Sequence, residues 1–80
     1  MEKNYTFRIH CDSHEVIPDV ERKLDNAGFK QIRRIDDIRK PYDLEVDVKA
    51  ESTNAALILK REIQNDSNYM IRSIEIAVGY

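Results

Sequence analysis

The residues with most chemical potential lie in one short stretch, His10-Cys11-Asp12-Ser13-His14-Glu15. It holds both histidines, the only cysteine and two carboxylates. Imidazole and thiolate are good ligands for zinc, copper or nickel. Cys11 and His14 stand at Cys-x-x-His spacing, which wraps one ion from a loop entering a helix, and a helix N-terminus lowers a thiol's pKa. Two ligands fall short of the four that tetrahedral zinc takes, so such a site needs a third residue or a second copy. Strand alternation sends His10 and Cys11 to opposite faces, which keeps all three from sharing one ion. The competing reading makes Cys11 a small buried hydrophobe and His14 an exposed first-turn residue. A nucleophilic Cys-His pair needs an orienting group and an oxyanion site. Neither is evident, so no enzyme is expected. Asp36 and Asp37 are adjacent and point apart on a strand, and Gly28 and Gly79, the only glycines, form no phosphate loop.

The elements that must position this stretch follow from periodicity. Tyr5, Phe7, Ile9 and Cys11 alternate with Thr6, Arg8 and His10, as in a strand with one buried face. Asp12 and Ser13 then offer capping oxygens to a helix whose apolar stripe is Ile17, Val20, Leu24 and Ala27. Pro18 fits its first turn, and Gly28 fits a left-handed cap at its end. From Phe29 to Ile38 the apolar residues Phe29, Ile32, Ile35 and Ile38 recur every third position, which a strand with a bulge would reconcile. Arg39-Lys40-Pro41 reads as a turn. Tyr42, Leu44, Val46, Val48 and Ala50 then alternate with Asp43, Glu45, Asp47 and Lys49 as the next strand. Ser52 or Thr53 caps a second helix with a stripe of Ala55, Ala56, Leu59 and Ile63, widened by Leu57 and Ile58. Asn65-Asp66-Ser67-Asn68 ends it. Met70, Ile74, Ile76 and Val78 form the last strand, and Gly79-Tyr80 closes the chain.

Strand, helix, hairpin, helix, strand is a split β-α-β unit used twice. With right-handed crossovers it predicts one α+β domain over residues 1–80: a ferredoxin-like βαββαβ fold with an antiparallel sheet of order 4-1-3-2 and both helices on one face. The 80 residues permit one modest core, with net stability of about 4–12 kcal/mol, and leave little room for a large cofactor. No cofactor is expected.

The whole-chain pattern resembles ACT-type regulatory domains, which have about this length and element order. That resemblance implies a dimer that binds a small ligand near the first strand-helix loop and the subunit seam. Asp12, Ser13 and His14 would then be the ligand residues, although the family's glycine is absent from this loop. Over Ile9 to Gly28 the chain also resembles the heavy-metal-associated domains of copper chaperones, which carry Cys-x-x-Cys at this loop. Here Cys11 and His14 match the ligand positions, with His14 in place of the second cysteine.

Charge and exposure narrow the partners. Thirteen basic and fifteen acidic residues give a net charge of −2, against a nucleic-acid binder that relies on a positive field. The same topology serves RNA recognition through stacking aromatics on the open face. Tyr5 and Phe7 fall on the buried side instead, and Glu45 and Asp47 would repel phosphate. No apolar run approaches the roughly 18–20 residues that span a bilayer. A single cysteine excludes an internal disulfide, and Met1 to Asn4 show no signal-peptide pattern, so a cytoplasmic location is expected. The second strand carries Lys30, Arg33, Arg34, Arg39 and Lys40, which protect an edge from pairing. The last strand, with Arg72, Ile74, Ile76 and Val78, has few charges. The reading is a non-enzymatic regulatory or interaction module, a homodimer through strand 4 with a small ligand at the seam. The alternative is a metal-binding domain using Cys11 and His14.

Overall fold

The computed structural model describes residues 2–67 and 69–78. Its elements are β1 (Lys3–Cys11), a 3₁₀ turn (His14–Val16), α1 (Ile17–Asn26), β2 (Ile32–Arg34), β3 (Leu44–Ala50), α2 (Thr53–Asp66) and β4 (Ile71–Val78). The expected positions of Asn68, Gly79 and Tyr80 lie outside the described residues, as does the side chain of Val78. The sheet order is β2-β3-β1-β4, the expected order read in reverse. All of its pairings are antiparallel.

β1 lies in the middle and pairs along its length with β3 on one side and β4 on the other. Its inward row is the expected Tyr5, Phe7, Ile9 and Cys11, all buried. Leu44, Val46, Val48 and Ala50 of β3 lie in the same layer, with Ile71 and Ile74 of β4. Ile17, Val20 and Leu24 of α1 and Ala56 of α2 cover that layer.

Both helix boundaries follow from local chemistry. α1 starts with Pro18 in its first turn, where a missing N–H is harmless. It ends in a Schellman motif: the amide of Gly28 donates to the Asp25 carbonyl at 3.1 Å and that of Phe29 to the Leu24 carbonyl at 3.0 Å. Gly28 has φ +101°, the left-handed region the motif requires. Ser52 caps α2, its Oγ accepting from the Ala55 amide at 3.1 Å. Ser13 makes no side-chain cap, because the chain passes from it into the 3₁₀ turn before α1 begins.

Several expectations are corrected. Strand 2 does not run from Phe29 to Ile38: only Ile32–Arg34 pair with β3. Threefold spacing cannot keep one face of a strand inward, so irregular backbone flanks a short strand. Phe29, Ile32 and Ile35 are then half-buried, while Ile38 sits at a loop tip, 99 % exposed. The bulge is in β4 instead. Cys11 faces Ile71 and His10 faces Ser73, so Arg72 is an extra residue. It lets Ile71 and Ile74, three apart, both turn inward, and Ile71 rather than Met70 is the buried residue. Strand 3 begins at Leu44, not Tyr42. Ala27, Leu57 and Ile58 are exposed, so they do not belong to the helix stripes.

A Cβ at Gly28 would meet nothing within 4 Å, so Gly28→Ala tests backbone strain alone. It should lower stability by about 1–2 kcal/mol in urea titration. Ser52→Ala should cost about 1 kcal/mol through the lost cap.

Candidate functional site

The loop from β1 to α1 lies at one end of the sheet, beside the connection from β2 to β3. Cys11 is the last residue of β1 and is 2 % exposed. Its amide donates to Asp43 Oδ2 at 2.8 Å, and the Asp43 amide donates to the Ile9 carbonyl at 2.8 Å. The Asp12 amide donates to the Met70 carbonyl at 2.8 Å, while its carboxylate lies 3.6 Å from Arg72. Both sides of the loop entrance are therefore held by the residues that lead into β3 and β4.

Burial pushes the Cys11 thiol up from an ordinary 9.0 to about 12, and the negative charges of Asp43 and then Glu21 add to the rise. This reverses the expectation that a helix start would lower it. Cys11 ends β1 within the core, and α1 begins only at Ile17 after the 3₁₀ turn, so the thiol is not at a helix start. His14 is exposed in the 3₁₀ turn. Among the described residues, no group of three or more His, Cys, Asp or Glu side chains is placed to hold a metal ion.

His14 does border a cleft of about 310 Å³ that includes Ile17, Arg34, Asp36, Lys40 and Tyr42. Asp12 and Ser13 are not among its lining residues, so the loop and the cleft coincide only at His14. Two of the cleft's charges are already paired. Arg34 Nε donates to Glu21 Oε1 at 2.8 Å, tying β2 to α1. Asp37 accepts from the Arg39 side chain and amide at 3.0–3.1 Å, which holds its carboxyl below the usual range. Asp43, Lys40 and Tyr42 were not legible as site residues. Asp43 continues the polar phase of strand 3 in the sequence, and only the loop's closure brings it to the Cys11 amide.

The open face of the sheet carries cross-strand charge pairs. Arg33 grips Asp47 with two hydrogen bonds, 2.7 and 3.0 Å, and Thr6 Oγ1 donates to the same carboxylate at 3.0 Å. Arg33 also lies 3.8 Å from Glu45, whose other oxygen is 3.5 Å from Arg8 Nε. The Arg8 guanidinium lies 5.3 Å from the centre of the Tyr42 ring. Arg8, Arg33, Glu45 and Asp47 thus form one connected set of opposite charges on this face.

The two helices leave an apolar groove of about 420 Å³ between them, floored by Val20, Leu24, Phe29, Leu59, Ile63 and Ile71. Lys23 Nζ bridges it to the Asp66 carbonyl at 2.8 Å. No helix among the described residues is long and apolar enough to cross a membrane.

No family model, curated protein or solved structure matches the chain.

Two pH effects follow. Cys11 is the only thiol, and at pH 8 the folded protein should react with iodoacetamide about a thousandfold more slowly than the urea-unfolded chain. Its raised pKa contributes stability that is whole below pH 9 and is lost as pH rises toward 12. Wild type should lose stability relative to Cys11→Ala by about 1.4 kcal/mol per pH unit across that window. Asp47 behaves oppositely. The Arg33 hydrogen bonds, with help from Thr6, outweigh partial desolvation and hold its carboxyl below the usual range. Its contribution is present above about pH 4 and fades as pH falls through the folded value, so Asp47→Asn should flatten the acid limb of a stability profile.

Proposed function

We propose that this chain is a non-enzymatic interaction module that works as a pair, joined through β4. The observation that carries this reading is the contrast between the two sheet edges. β2 is three residues long, and two of the three are arginine. Its backbone offers little ladder to a partner, and its charges protect what it offers. β4 is eight residues long, pairs with β1 along one side, and carries only Arg72 and Glu75 as charges. Its other side is a row of backbone donors and acceptors with no neighbouring strand among the described residues. Such a row is a ready template for a further strand, and a second copy of β4 is the simplest one that closes on itself.

An interaction role also fits the chemistry of the loop. A thiol pushed up to about 12 is neither a nucleophile nor a ready ligand near neutral pH. The cleft beside His14 sits at the sheet end where the first strand-helix loop meets the hairpin connection. A small ligand bound there would link that loop to the β2–β3 connection, which is how a regulatory input would enter the module.

Sedimentation velocity or native mass spectrometry should find a dimer whose fraction grows with concentration. Ile76, only partly buried on β4, is the residue to change. Ile76→Lys should shift the population to monomer while circular dichroism still reports the folded chain. A wild-type protein that stays monomeric at several hundred micromolar would remove this reading.

A further inference from the structure

Resting on the β4 reading, we infer where its two-fold axis passes and what else it joins: β4 pairs with its own copy about Ile76, and Leu57 of both α2 helices meets above that point. The need for a second layer comes from area. Even if all eight residues of the strand were engaged, its edge is about 27 Å long and about 10 Å thick, at most roughly 270 Å². A stable pair needs about 800 Å² per partner, so contacts above the sheet must add to the strand edge.

α2 is placed to supply them. It connects β3 to β4, which lie on opposite sides of β1, so it crosses over β1 toward the β4 edge. Leu59, Glu62, Ile63 and Asp66 line the groove facing α1. At about 100° per residue, Leu57, Lys60 and Gln64 fall on the opposite flank, overhanging β4. Leu57 is 41 % exposed there, with no strand or helix beyond β4 among the described residues.

Its height along the sheet follows from an anchor. Thr53 Oγ1 lies 3.4 Å from the Tyr5 hydroxyl, and from there α2 runs in the direction of β1 toward the turn into Ile71. Leu57 is four residues on, about 6 Å. Phe7 is two strand residues on, about 6.6 Å. The β4 partner of Phe7 is Ile76. Leu57 therefore stands over Ile76, whose partly buried side chain points to the same helix layer.

The strand register agrees. Residues opposed across an antiparallel pair share a face, so the axis must fall on a residue rather than between two. An axis at Glu75 would oppose two carboxylates, which is unfavourable. An axis at Ile74 would set the bulge residue Arg72 against Ile76. An axis at Ile76 opposes Ile76 to its own copy, sets Glu75 opposite Ala77, and leaves Arg72 outside the paired run. It is also the centre directly under Leu57.

The test compares two neighbours on α2. Leu57→Glu should raise the dimer dissociation constant about tenfold or more, since two carboxylates would be forced together at the seam. Ile58→Glu, on the outward face at 55 % exposure, should leave it within about twofold. Thermal melts monitor folding of each variant. Independently, Leu57→Cys should be joined to its copy by a short bis-maleimide at neutral pH, where the buried Cys11 does not compete, and Ile58→Cys should not. A dimer that forms normally with Leu57→Glu, or shows no Leu57→Cys link, overturns this inference and leaves β4 pairing standing. A wild-type monomer at all concentrations overturns both.

Discussion

The architecture depends on one strand having neighbours on both sides. β1 pairs with β3 and β4 over most of its length, and its inward row is the most deeply buried in the protein. A central strand has no free backbone groups to satisfy, so every alternate side chain can be committed to packing. Tyr5 extends this role by reaching Thr53 at the start of α2, which links the height of the helix to the register of the sheet. The position of Asp43 beside Cys11 traces to that central placement.

Away from β1 the two flanks are held by different forces. On the β2 side the backbone ladder is short, and polar contacts do much of the holding. Arg33 joins β2 to β3 through Asp47 and Glu45, and Arg34 joins it to Glu21 of α1. Such exposed pairs are individually weak, so this flank is the more salt-sensitive one. On the β4 side apolar packing dominates, and Ile71, Ile74 and Ile76 all lean on the core. The same asymmetry that distributes stability also leaves one edge closed by charge and the other open.

The loop with the most reactive-looking residues turns out to be structural at its centre. The position that buries Cys11 also brings Asp43 to its amide, and that carboxylate helps keep the thiol protonated. Its neighbours are spent on the backbone: the Asp12 amide closes on Met70, and Ser13 leads into the 3₁₀ turn without capping. Only His14 faces the cleft that the hairpin connection helps to form.

Much of this was determined by local sequence. Alternation from Tyr5 to Cys11 and from Tyr42 to Ala50 marks two strands, the second longer by its first two residues than the strand that forms, because a half-buried strand needs that period. Pro18, Gly28 and the Ser52-Thr53 pair mark helix ends, because each answers a backbone requirement that acts within one turn. The element order and the handedness of the crossovers then lead to the strand order. What only the tertiary structure decided is everything that depends on a partner distant in the chain. The bulge at Arg72 is set by pairing with His10 and Cys11, some sixty residues earlier, and appears in the sequence only as a broken alternation. The shortness of β2 reflects competition between a threefold apolar spacing and a twofold strand period. The chemistry of Cys11 is the clearest case. Cys-x-x-His spacing describes two side chains along the chain, whereas a thiol's pKa is set by burial and by charges at Asp43 and Glu21, which folding alone brings near.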